Sequence, residues 1–130
     1  MIREQDSRNT YKIHVDENKT GEVQIADEVI ASIAGLAATE VEGVASMAGN
    51  ITKELVSKLG MKSLSKGVKI EVDTENVVVD LALQVEYGYN IPKVSRTVQE
   101  KVKAAIETMT GLTVSEVNVR IAAVSAEKNA

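Results

Sequence analysis

The chain has 130 residues, 44% of them apolar, a formal charge of −4, and no cysteine, phenylalanine or tryptophan. Such a composition implies one domain with a core of Val, Ile, Leu, Ala and Met, built in thin layers rather than around a large ligand cavity. It excludes disulfides, thiolate catalysis and sulfur-ligated metals, and the acidic balance argues against nucleic acid, which rewards clustered Lys and Arg.

Residues 1–20 read as a largely disordered polar tail. Inside it, Tyr11, Ile13 and Val15 alternate with Lys12 and His14, which allows a short strand at 11–15. Turn residues from Asp16 to Gly21 follow, and Glu22 to Ile25 could complete a hairpin. His14 is the single histidine, and in this polar setting it reads as a surface residue rather than a metal ligand. The first residues have no apolar run of the secretory kind. Val29 to Ala38, the longest weakly polar stretch, is about half of the ~20 residues a bilayer span requires. A cytoplasmic protein with no span of its own is expected.

A first helix is expected next. Ile25, Val29, Ile33, Leu36 and Ala37 recur at spacings of three and four, and Asp27 and Glu28 suit the positive end of a helix dipole. After Gly43, Val44 to Met47 can form a short buried strand. The middle, from Ala48 to Gly67, has two readings. Ile51, Leu55, Val56 and Leu59 suit a short amphipathic helix ending at Gly60; the stretch could equally be a mobile insertion.

From Val68 to Tyr87 the pattern changes to period two. Val68, Ile70 and Val72 alternate with Lys69, Glu71 and Asp73. Beyond a polar break, Val77, Val79, Leu81, Leu83, Val85 and Tyr87 fall on one side, with Asp80, Gln84 and Glu86 on the other. Two strands with one buried face and one wet face are implied. Pro92 marks entry to a second long helix with an expected stripe of Val94, Val98, Val102, Ala105, Ile106 and Met109, and Gly111 suits its left-handed cap. A last strand spans Val114 to Val124, with Val117, Val119 and Ile121 on one side and Asn118 and Arg120 on the other. A polar tail occupies 125–130. Residues 35–44 and 111–119 echo one another; both read as helix exits into a strand, so geometry or duplication can account for the likeness.

These elements describe an α+β two-layer sandwich. A mixed or antiparallel sheet of about three or four main strands carries two long amphipathic helices on one face. Nothing in it has the pattern of a catalyst. Glu40 and Glu42 do not share a helical face, and no phosphate-binding loop spacing occurs; Lys62 and Lys66 read as part of a solvated loop, although they could hold an anion. The stacking aromatics and Gly-x-x-Gly clamp of RNA modules are absent. A hydrolase or transferase would have to rely on exposed polar residues such as Asn118, Arg120 and Tyr89.

Two places merit attention. Tyr87, Gly88, Tyr89, Asn90, Ile91 and Pro92 form a corner between strand and helix, readable as a partner-docking spot or as a staple joining the two elements. The final strand, with Asn118, Arg120 and Ala122 exposed and Ala122 to Val124 poorly guarded by charge, could offer an edge to another copy.

The series Gly21-x-Val23-x-Ile25-Ala26, Glu28-Val29-Ile30-x-x-Ile33-Ala34-Gly35 and Val41-Glu42-Gly43-Val44 resembles the first half of the alkaline shock (general stress) proteins of Gram-positive bacteria. Gly67-Val68-x-Ile70, Tyr87-Gly88-x-Asn90-Ile91-Pro92, Val98-Gln99-x-x-Val102, Met109-Thr110-Gly111-Leu112 and Val117-Asn118-Val119 continue the likeness, which covers roughly residues 21–124. Asp27 departs from it, standing where the family often has proline. The resemblance implies a non-enzymatic cytoplasmic scaffold or adaptor in envelope stress and homeostasis, recruited by a membrane-anchored partner and in some cases self-assembling. It implies no cofactor, small-molecule substrate or catalytic residue. A soluble regulatory partner of the carboxylase that starts fatty-acid synthesis is the other role it suggests.

Overall fold

The computed structural model describes residues 10–13, 23–48, 65–73 and 76–125. The expected helix over Ile51 to Gly60, the residues His14 and Lys62, and the two tails outside 10–125 lie outside the described residues. Strand β1 (Thr10–Ile13) pairs antiparallel with β2 (Val23–Ala26). The chain then turns directly into helix α1 (Asp27–Thr39). Strands β3 (Val44–Met47), β4 (Val68–Asp73) and β5 (Asn76–Glu86) follow. Helix α2 (Ile91–Thr110) and strand β6 (Thr113–Ser125) complete the order.

β5 is the spine of the four-stranded sheet. Along one edge it pairs in parallel with β6 over its whole length, Asn76 opposite Thr113 through Glu86 opposite Ser125. The other edge is divided. β4 takes Asn76 to Leu81 and β3 takes Leu83 to Val85, both antiparallel, so two short strands share one side of a long one. The Ala48 amide bonds the Ala82 carbonyl at 3.0 Å where they meet. Because β5 and β6 are parallel, the connection must cross over, and α2 is that crossover.

Both helices cover one face, as expected for the two-layer sandwich, and they pack against each other. Val77, Val79, Leu81, Leu83 and Val85 of β5 are buried beneath them. Val98, Val102 and Ile106 meet that layer from α2, and Ile30, Ala34 and Ala38 from α1, all at 0% exposure. Each buried aliphatic side chain is worth roughly 1.5–3 kcal/mol, so a layer of Val, Ile and Ala suffices without aromatic residues.

Three expectations about faces need correcting. In α1 the buried row is Ile30, Ile33, Ala34, Ala37 and Ala38, whereas Val29 is 49% exposed. In α2 the row runs Val94, Val98, Val102, Ile106 and Thr110, and Met109 is 69% exposed. Thr110 fits there because its hydroxyl donates to the Ile106 carbonyl at 2.7 Å and accepts from the Leu112 amide at 3.1 Å. Tyr87 does not extend the buried side of β5; the strand ends at Glu86 and the ring is 66% exposed.

Candidate functional site

The corner between β5 and α2 is built by backbone first. Glu86 donates its amide to the Gly43 carbonyl at 2.8 Å and accepts the Tyr89 amide at 3.3 Å, closing a turn in which Gly88 has φ +99°. That left-handed value suits glycine, which lacks the Cβ that disfavours it. Asn90 then caps α2, its side-chain oxygen accepting the Lys93 amide at 2.9 Å, while Pro92 lies in the first turn. Pro92 is pre-organised for a helix entry because its missing N–H would have no helical partner there.

Of the two corner tyrosines, one is structural. A Cβ built on Gly43 would come within 2.8 Å of Tyr89 Cδ2, which places the ring over that glycine. The Tyr89 hydroxyl donates to Glu42 Oε2 at 3.2 Å. The Glu42 charge, with some desolvation and a smaller contribution from Glu86, raises the phenol above its usual range. Tyr89 therefore ties the corner to the loop before β3. Tyr87 projects from the same turn, and nothing lies within 4 Å of a Cβ built on the adjacent Gly88. Ile91 is 37% exposed and Val124, at the matching end of β6, 47%. Since Glu86 pairs with Ser125, these side chains share one end of the sheet.

On β6, Asn118, Arg120 and Ala122 are exposed, on the side expected from the alternation. Asn118 Nδ2 donates to Asp80 Oδ1 at 2.8 Å, across the parallel pair. Bulges fall between Val114 and Glu116 and between Ile121 and Ala123, and neither has a pattern-level signal. Equally invisible in the sequence is the treatment of the outer edge. Lys103 Nζ donates to the Val114 carbonyl at 3.0 Å, Glu107 Oε2 accepts the Val114 amide at 2.9 Å, and Gln99 Nε2 donates to the Val117 carbonyl at 3.0 Å. The four-residue spacing of Gln99, Lys103 and Glu107 was the available hint: it puts all three on one side of the helix. Together they satisfy the first part of the β6 edge from the side. Among the described residues no group of three or more His, Cys, Asp or Glu is placed to hold a metal.

Residues 15–126 match the model of the alkaline shock protein 23 family, described as having a cell envelope-related function. The chain belongs to that family. Among curated relatives, this alkaline shock family member is 37% identical to an uncharacterized protein, YqhY, of Bacillus subtilis (strain 168), over 92% of this chain and 88% of the relative. It is 34% identical to a stress response regulator gls24 homolog of Streptococcus pyogenes serotype M3 (strain MGAS315), over 78% of this chain and 57% of that protein. A solved structure, the MamM CTD, covers 74% of the chain at TM-score 0.47 and 16% identity. Among the described residues, no helix is long and apolar enough to cross a membrane.

Proposed function

We propose that the protein is a non-enzymatic adaptor in the envelope stress response, working in the cytoplasm through contacts with a membrane-anchored protein. The observation that carries this reading is the exposed end formed by Tyr87, Ile91 and Val124, beside a turn that Gly88 allows and a helix start set by Asn90 and Pro92. Tyrosine is enriched in interfaces because it contributes apolar area and a polar tip at low entropic cost. The family's envelope-related description and a relative's stress-regulator name support the biological setting. A pre-formed corner needs little reordering on binding, which favours recognition by a partner.

Membrane fractionation with crosslinking, during alkaline or cell-wall stress, tests the proposal. The native chain should sediment with membranes and crosslink to an integral protein, and the double variant Tyr87→Ala, Ile91→Ala should remain in the soluble fraction. A native chain that stays soluble and monomeric, recovering no membrane protein, overturns the reading. So does exclusive recovery of a soluble biosynthetic enzyme such as the fatty-acid carboxylase. Self-association through the open end of β6 is part of the same proposal. Sedimentation should become independent of concentration on Ala122→Lys, since a charge on an edge disfavours pairing with a second copy.

A further inference from the structure

The open face of the sheet holds a depression whose origin lies in two small residues. The outward position of β5 between Asp80 and Gln84 is Ala82, which is 7% exposed. Gly67 stands beside it, so close that a Cβ there would lie 3.3 Å from the Ala82 carbonyl oxygen. Longer side chains stand around this floor. In one row Lys69 pairs with Asp80 and Asp80 with Asn118; in the next, Ala82 pairs with Arg120. Lys66, in the turn before β4, completes the rim of a cleft of about 590 Å³. That size lies within the roughly 300–1,000 Å³ of small-molecule sites.

The charge on this rim runs against that of the chain. Lys66, Lys69 and Arg120 face a single lining carboxylate, Asp80, in a protein whose formal charge is −4. Asp80 is already engaged by the Asn118 amide at 2.8 Å. The other acids of the open face do not line the cleft: Glu71, Asp73 and Glu116 lie toward the β4–β5 turn, and Glu86 lies at the opposite end of β5. No ion pair joins Lys66, Lys69 or Arg120 to another described residue. An arginine guanidinium flanked by ammonium groups suits oxygen anions, which it can bind through two parallel hydrogen bonds.

We propose that this cleft binds a small multiply charged anion, an organic phosphate or polycarboxylate, lying over Ala82 with its charged groups toward Arg120, Lys69 and Lys66. The proposal is for binding alone: the one lining carboxylate, Asp80, is held by the Asn118 amide. It is independent of the docking corner, which lies at the strand ends rather than on the open face, so either reading can fail alone. Lys66 had a sequence-level hint of this role; Ala82 and Gly67, which make the space, had none.

The test is amide NMR on the full chain, titrated separately with pyrophosphate, citrate and a hexaglutamate peptide. Saturable shifts confined to Gly67, Lys69, Asp80, Ala82, Asn118 and Arg120 are expected with pyrophosphate, citrate or both, and which of the two saturates identifies the source of the charge. Arg120→Ala and Lys69→Ala should each weaken binding at least tenfold, while Lys101→Ala on the exposed side of α2 should not change it. Ala82→Leu should abolish binding with all cations retained, its fold being checked by thermal melting; Arg120→Ala decides the matter if that variant does not fold. No saturation by either small anion, saturation by the peptide alone, or equal binding by Arg120→Ala and Lys101→Ala overturns the proposal.

Discussion

Glu107 and Val114 are joined by a 2.9 Å hydrogen bond in which the carboxylate of α2 accepts the backbone amide of the second residue of β6. With Lys103 bonded to the Val114 carbonyl and 3.5 Å from Glu107, the pair closes both polar groups of one edge residue. Parallel sheet formation demands a long crossover, and this contact fixes where the crossover ends.

The first prediction concerns acid. The Val114 amide, more than the nearby Lys103 charge, holds the Glu107 carboxyl below its ordinary value, against an opposing effect of desolvation. A depressed folded value means that the contribution to stability is present above the unfolded value of about 4.3 and is lost as pH falls through the folded one. Glu107→Gln keeps an acceptor and removes the charge. Its melting temperature should be lower than that of the native chain near neutral pH, and should fall less between about pH 5 and about pH 3. Parallel melting curves across that window would refute the assignment.

A second prediction separates the true buried row of α2 from its neighbour. Ile106 is at 0% exposure and Met109 at 69%. Ile106→Ala should cost about 2–5 kcal/mol in denaturant unfolding, because it removes buried methyl groups and leaves a cavity. Met109→Ala should change stability by less than about 0.5 kcal/mol. Equal losses would mean that the helix is rotated from the position described.

That contrast shows where the sequence was legible. The alternation from Val68 to Val85 dictated β4 and β5, since period two puts Val77, Val79, Leu81, Leu83 and Val85 on one side and leaves only Val78 and Ala82 as apolar exceptions on the other side of β5. Pro92 and Gly111 bounded α2 correctly, Gly111 with φ +79°. α1 was harder. Apolar residues surround it almost completely, so Ile30-Ile33-Ala34 and Val29-Ile33-Leu36 are equally periodic, and only packing against the sheet decides between them. The division of one β5 edge between β3 and β4, and the depression over Ala82, arise from contacts distant in sequence. No local pattern encodes them.

A third prediction uses two glycines of nearly equal backbone. Gly43 has φ +100° and Gly88 φ +99°. Alanine at either position meets the same left-handed penalty, on the order of 1–2 kcal/mol. At Gly43 the new Cβ would additionally lie 2.8 Å from both Tyr89 Cδ2 and Val94 Cγ2, whereas at Gly88 it meets nothing within 4 Å. Gly43→Ala should therefore be the more destabilising of the two by equilibrium unfolding. Equal losses would show that the Tyr89 ring moves aside without cost.

The same ring carries the fourth prediction. The charge of Glu42, with desolvation and the hydrogen bond it accepts, keeps the Tyr89 phenol neutral to higher pH than usual. A raised folded value means that the neutral phenol contributes fully below the unfolded value of about 10, and that the contribution disappears as pH rises through the folded one. In an alkaline absorbance titration, Tyr89→Phe should delete a late-titrating component, and Glu42→Gln should move that component down toward the ordinary value. The loop carrying Glu42 would then hold the corner less firmly, so Tyr89→Phe should melt below the native chain near neutral pH, and the difference should shrink as pH rises through the folded value. A late component that survives Tyr89→Phe would assign it to another tyrosine and remove Glu42 as its cause.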